Sequence, residues 1–204
     1  MENYKGKAEV HSQPRRLPVS RAQSGSARGT ADPRKILSNR ASEMIVSVSQ
    51  YMPGLLGRIT ELHAGYYHRH WGFDLFFETK VAAELADFLQ HFDSTRDGLW
   101  AAMMDDHIIG AIAVSGRESG TLGARLRWLI VAPQYQGRRF GKRLMRAAMD
   151  FCRQAGFKRI YLTTFAGLDA ARHLYEQEGF CVVVEREDAH WGKTVREQTF
   201  ELML

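Results

Sequence analysis

The chain has 204 residues, 45% of them hydrophobic and 25% charged, with a formal net charge of +5 and two cysteines. That length provides for one packed domain, or at most two small ones. Two cysteines exclude a disulfide framework and fit a reducing cytoplasm; Cys152 in DFCRQ and Cys181 in GFCVVV both read as core positions of a helix and a strand. No apolar stretch reaches the roughly 20 residues of a membrane-spanning helix, and no secretory apolar block follows the first residues, so a soluble, intracellular protein is expected.

The charge is unevenly placed. Residues 1–43 carry nine Lys/Arg against four Asp/Glu, which leaves nineteen of each sign in residues 44–204. A basic chain raises a nucleic-acid partner, but here the excess belongs to the leader rather than to a domain surface, so that inference is discounted. The leader is rich in Ser, Arg, Gly, Gln and Pro and has neither strand nor helix periodicity, which predicts disorder. Its Arg- and Ser-rich start also suggests a transit peptide, against which stand Glu2, Glu9 and the lack of an amphipathic helix.

From residue 44 onward the pattern is that of a folded domain. MIVSVS (44–49) reads as a strand. After Pro53, Leu55, Ile59, Leu62 and Tyr66 fall on one helix face, and a second helix is capped by Asp74 with Phe77, Val81, Leu85, Phe88 and Phe92 on one side, ending near Asp93. The period then changes to two: 98–105 and 107–116 read as a hairpin, and 122–131 as a third strand stopped by Pro133. A helix from about Gly137 carries Phe140, Leu144, Ala147 and Phe151 inward and closes at Gly156. Strand 159–165, helix 168–179 and strands over 180–187 and 196–204 complete the order. Hairpins mixed with strand-helix-strand crossovers define an α+β, or mixed-sheet α/β, domain.

The most informative segment is LIVAPQYQGRRFGKRLM (129–145), where an apolar strand breaks and a glycine-bearing turn opens a helix. Such a turn aims free backbone N–H groups and the positive helix end at one spot, which suits a phosphate or pyrophosphate. Arg138, Arg139, Lys142, Arg143 and Arg146 crowd that helix start with no acid before Asp150. Cations there oppose the helix dipole at a cost of about 0.3–1 kcal/mol each unless an anion is bound; a solvated basic face is the plainer alternative. Gly137 and Gly141-Lys142-Arg143 have the wrong spacing and lack the Ser/Thr of a Walker loop, and no G-x-G-x-x-G follows a strand.

V-x-P-x-x-Q-G-x-x-x-G-x-x-L (131–144), followed by A-A-R-H-L-Y-E-x-x-G-F (170–180), resembles the acyl-CoA site of the GNAT N-acetyltransferase superfamily. The resemblance spans residues 45–204. It extends to bacterial GNAT domains, some fused behind MarR-type DNA-binding domains, for which the 43-residue leader has no room. It implies a central mixed, mostly antiparallel sheet flanked by helices, and transfer of an acetyl group from acetyl-CoA to a primary amine by direct attack on the thioester. It further implies that the strand end at Leu129, Ile130 and Val131 pairs with the pantetheine arm. The turn through Gln136, Gly137, Arg138, Arg139, Gly141 and Lys142 would wrap the pyrophosphate, and Tyr175 would protonate the departing thiolate. The bland reading of Tyr175 is a core aromatic.

Three departures from the family pattern stand out. Arg139 replaces a glycine of the turn, and a side chain there costs about 1 kcal/mol if φ is positive. Leu168 replaces an asparagine seven residues before the tyrosine, and Arg127 and Trp128 stand where an acidic base is common. Base candidates are Glu61, His63, His68, His70 and His190. His-Trp-Gly occurs at 70–72 and again at 190–192, in regions that border the acceptor pocket in the resembled fold. No Cys or Asp completes a metal spacing with His63, His68 and His70, so no metal is expected. A non-catalytic acyl-CoA-binding regulatory domain and a nucleic-acid-binding module remain as alternatives. The acceptor is expected to be a small-molecule or peptide amine, with no membrane partner and room for a homodimer.

Overall fold

The computed structural model describes residues 43–47 and 52–204, all within the unit Arg40–Leu204. The leader expectation therefore lies, apart from Glu43, outside the described residues. Glu43 itself opens the first strand: β1 (Glu43–Ser47), α1 (Leu55–Trp71), α2 (Leu75–Gln90), β2 (Gly98–Met104), β3 (His107–Ser115), β4 (Ala124–Val131), α3 (Phe140–Gln154), β5 (Arg159–Phe165), α4 (Asp169–Gln177), β6 (Cys181–Asp188) and β7 (Val195–Met203). The seven strands form one sheet in the order β1-β2-β3-β4-β5-β7-β6. Every neighbouring pair is antiparallel except β4 and β5.

Alternation along the central strands divides the core. On β2, Leu99 and Ala101 face α1 and α2 with Ile59, Leu62, Leu85 and Phe88, whereas Trp100 and Ala102 face α3 with Leu144, Met145 and Met149. Both faces are covered, so these strands read as nearly continuous apolar runs. The helix α2 starts where the sequence places it, because the Asp74 side chain accepts a hydrogen bond from the Phe76 N–H at 3.1 Å. The helix α3 starts three residues later than expected. Gly137 (φ 76°) and Arg139 (φ 66°) are both left-handed, so helical geometry is reached only at Phe140, after a single 3-10 turn at Pro133–Tyr135.

Cys152 is buried as expected, but Cys181 is exposed. The strand β6 is the edge of the sheet, paired only with β7, and Val183 and Val184 are exposed along with the cysteine. An apolar run alone does not distinguish an edge from a centre.

Two irregularities open the sheet. Ala111 pairs with Ile130 but Ala113 with Arg127, so Ile112 faces two residues, Trp128 and Leu129, and Trp128 takes φ 52°. This is a β-bulge, which bends its strand and re-aims side chains. On the other side, β4 pairs with β5 only at Ala124 and Arg125. Beyond that point the two parallel strands diverge.

Candidate active site

Past the point where β4 and β5 part, the end of β4, the turn into α3 and the start of α4 line a groove of about 550 Å³. Of the residues expected to hold a cofactor, Leu129, Ile130, Val131, Gln136, Gly137, Arg139, Gly141 and Lys142 line it. Gln136 braces the turn by donating from Nε2 to the Val131 carbonyl at 3.0 Å. Gly137 supplies a positive φ, and a Cβ built there meets nothing within 4 Å, so the turn opens onto free space in front of the α3 N-terminus. Gly141 is there for a different reason: its Cβ would come within 3.0 Å of Leu174 Cδ1, which ties α3 against α4. The groove, the exposed turn and the positive helix end fit an elongated ligand with a phosphate at one end.

Arg139 adopts the left-handed conformation that the sequence made costly, and it is the residue immediately before α3. Arg138 does not line the groove. Its guanidinium pairs with Glu43 on β1 and lies near the rings of Tyr135 and Phe140. The helix start is thus not free of acids in space, because a partner 95 residues earlier in the chain reaches it. Leu168, in place of the family asparagine, is buried at the groove wall and gives α4 no side-chain cap.

Tyr175 lies elsewhere. It is buried, packs on Phe180 and Phe200 at 6.2 and 5.6 Å between ring centroids, and lines a second cavity of about 80 Å³. Burial pushes its phenol well above the usual tyrosine range, so it holds its proton at neutral pH. Tyr67 on α1 lines both cavities, as does Leu129 in the bulge. Burial raises the Tyr67 phenol too, and the nearby Tyr175 adds to the effect.

Of the base candidates, His63 alone lines the second cavity; Glu61, His68, His70 and His190 do not. His63 is buried, and its Nδ1–H donates to the Ile59 carbonyl at 2.8 Å, which leaves Nε2 with its lone pair. Burial lowers its pKa to about 4, against which the Ile59 hydrogen bond works only partly. The ring is therefore neutral at pH 7 and a hydrogen-bond acceptor rather than a strong base. His68 and His70 serve the helix end instead: His68 Nδ1 meets the Phe73 carbonyl at 2.8 Å, and His70 packs on Tyr66 and Trp71.

The two His-Trp-Gly segments come together around Phe165. Trp71 and Trp191 pack on its ring at 5.4 and 6.2 Å, and Lys193 Nζ donates to the Trp71 carbonyl at 3.3 Å. Trp191 lines the second cavity, whereas Trp71 stands behind it. Among the described residues, Asp188, His190 and Glu197 bring three potential metal-ligand atoms within 4.8 Å of one another. Those atoms are already tied together, His190 Nδ1 meeting both carboxylates at 3.0 Å.

Sequence reasoning missed several cavity residues: Tyr67, Lys80, Glu84 and Arg125. Glu84 reaches from α2 to Arg127 on β4, so an acid does stand beside the region where the strand lacks one. Helical spacing places Lys80 and Glu84 on one face, but nothing local shows that the face turns toward β4.

A mixed sheet with splayed parallel strands, a groove ending at a helix-opening turn and an adjoining aromatic cavity define an acyl-group-transfer architecture. The same fold recurs in an acetyltransferase from Streptococcus agalactiae, 20% identical with a TM-score of 0.62 over 79% of this chain and 98% of that one. It recurs also in yncA from Salmonella typhimurium, whose structure contains its cofactor acetyl-CoA, at 14% identity and a TM-score of 0.58 over 78% of this chain and 94% of that one. Residues 58–180 match the Acetyltransferase (GNAT) family, and the chain belongs to that family. Among curated relatives, the probable N-acetyltransferase camello of Xenopus tropicalis is 24% identical over 140 residues; the match covers 68% of this chain and 64% of that protein. No helix among the described residues is long and apolar enough to cross a membrane.

Proposed function

We propose that this protein is an N-acetyltransferase that transfers the acetyl group of acetyl-CoA to a primary amine by direct attack on the thioester. The observation that carries this reading is the meeting of two cavities at Leu129 and Tyr67, with Tyr175 on the wall of the second. A thioester held along the groove reaches that junction, and an amine in the smaller cavity faces it. The Salmonella protein of the same fold holds acetyl-CoA, which supports this cosubstrate.

In the proposed arrangement, the edge of β4 over Leu129, Ile130 and Val131 hydrogen-bonds the pantetheine arm. Backbone N–H groups from Gly137 to Lys142 receive the pyrophosphate, reinforced by the side chains of Arg139 and Lys142, while the Gln136 N–H is given to the Pro133 carbonyl at 3.2 Å. Arg138 contributes through its backbone, since its side chain is committed to Glu43. The neutral amine nitrogen attacks the thioester carbonyl carbon, the C–N bond forms and the C–S bond breaks. The departing thiolate takes its proton from the Tyr175 hydroxyl, which is replenished by the proton that the new amide sheds. Lys80, Arg125 and Arg127 around the cavity disfavour an ammonium ion and so help the acceptor enter as the free amine. His63 Nε2 is suited to hold an amine N–H. The protein acts in the cytoplasm on a small-molecule amine, and its residues 44–204 make up the catalytic domain.

The reading is tested by incubating the protein with acetyl-CoA and a panel of amines and measuring thiol release, with acetyl-CoA binding measured by calorimetry. Amine-dependent release of CoA is expected. Binding of acetyl-CoA without turnover on any amine favours a regulatory domain, and absence of binding refutes the cofactor assignment.

A further inference from the structure

We infer that the acceptor is an amino acid, that is, a small amine that carries a carboxylate at its other end. This deepens the proposed acetyl transfer and rests on it. The cavity is small: about 80 Å³ holds only a handful of non-hydrogen atoms. Its walls are chemically divided. Toward Leu129 and Tyr175 it is aromatic, with Tyr67, Phe165 and Trp191, whereas its other part is charged, with Lys80, Glu84, Arg125 and Arg127. Arg125 and Arg127 stand four and two residues before Leu129 on β4, so the charged part lies further back along the strand from the point of transfer.

The charges in that part do not cancel. Glu84 is shared between Lys80, at 2.7 Å, and Arg127. Burial alone would raise the Glu84 carboxyl, but Lys80, Arg127 and Arg125 together hold it below the usual glutamate range. Arg125 has no ion pair among the described residues. It lies close enough to Arg127 that, after burial, it is the next cause lowering the Arg127 pKa to about 10. Two guanidinium groups held near each other, one of them half-buried without an ion pair of its own among the described residues, leave positive charge on the cavity wall. A single carboxylate pairs with the unpaired Arg125, because its two oxygens match one guanidinium fork. The cation of Arg127 is meanwhile fixed over the Trp128 ring at 3.9 Å, so the receiving end is rigid.

The test compares acids with their carboxamides, which keep the size and the amine and remove the negative charge. The twenty common amino acids, β-alanine and γ-aminobutyrate are assayed with acetyl-CoA alongside the carboxamide of each accepted acid, with aminomethylphosphonate set against glycine. For the best acceptor the acid is expected to exceed its carboxamide by about tenfold or more in kcat/KM, as loss of a charge-assisted pair predicts. Arg125→Met is expected to abolish most of that preference while leaving acetyl-CoA affinity unchanged. A carboxamide equal to or better than its acid overturns the inference. So does a preference for the phosphonate, or turnover confined to amines without a carboxylate. Failure of the underlying transferase reading shows differently, as absence of acetyl-CoA binding or as binding without turnover on any amine. The acid-to-amide comparison on the unaltered protein stands even if Arg125→Met does not fold.

Discussion

Replacing Arg139 with glycine separates two properties of one side chain. Arg139 sits at φ 66°, where a residue with a Cβ is strained by about 1–2 kcal/mol, and glycine removes that strain. The gain is reduced by roughly 0.5–1 kcal/mol, because glycine makes the unfolded chain freer. The net is a change of about 0 to 1.5 kcal/mol toward greater stability, or up to about 6 °C in Tm for a chain of this size. The same substitution removes a guanidinium from the groove turn. A charge-assisted hydrogen bond contributes about 1.5–3 kcal/mol, and the exposure of this turn argues for the lower end, which corresponds to about a tenfold loss of acetyl-CoA affinity. Thermal unfolding without ligand and calorimetric titration with acetyl-CoA measure the two effects separately. An unchanged dissociation constant, or a Tm that falls by more than about 2 °C, refutes the account of this turn. Arg138→Ala is the control: with its side chain turned to Glu43, it is expected to leave the affinity within about twofold.

Other expectations follow from the same geometry. Tyr175→Phe is expected to lower kcat by about 10²-fold or more while leaving the acetyl-CoA dissociation constant nearly unchanged; an unaltered kcat in steady-state assays removes its role as the acid. His63 has a folded-state pKa of about 4, below its unfolded value of 6.5, so acid protonates the unfolded chain first. The stability it supports is present above pH 6.5 and is lost as pH falls toward 4, by about 2 kcal/mol between pH 7.5 and 5. Urea melts at those two pH values should show that loss, and His63→Gln should flatten it; an equal pH dependence in the variant contradicts the assignment. Gly110→Ala places a methyl 2.6 Å from the Ile130 carbonyl oxygen, so β4 must shift. A drop in Tm of several degrees is expected by calorimetry, and an unchanged Tm is incompatible with that close approach.

Much of the fold was legible because its signals are local. The strand Arg159–Phe165 was read with its observed bounds, since alternation and flanking glycine suffice to delimit it. The capping of α2 by Asp74 was equally readable. What could not be read depends on partners distant in sequence. The pairing of Arg138 with Glu43 crosses 95 residues, and the exposure of Cys181 depends on β6 being last in the sheet. Trp128 gave no warning of a bulge, because tryptophan is a strand former and nothing in its neighbourhood is glycine. The groove was anticipated from its turn, since glycines and cations mark it. Of the smaller cavity only parts were anticipated, His63, Tyr175 and Trp191, because α1, α2, β4, β5, α4 and the loop bearing Trp191 each contribute to it.

The parting of β4 from β5 has a thermodynamic side. After Arg125, β4 has a strand on one flank only, so a row of peptide groups there has no partner within the sheet. In the proposed arrangement acetyl-CoA lies along that row, completes the hydrogen bonding that the fold leaves open, and binds the folded chain alone. By mass action, acetyl-CoA at about one hundred times its dissociation constant adds about 2.7 kcal/mol to the free energy of unfolding. The melting temperature of the protein then reports the acetyl-CoA concentration around it, and its resistance to unfolding rises and falls with the supply of the acetyl donor.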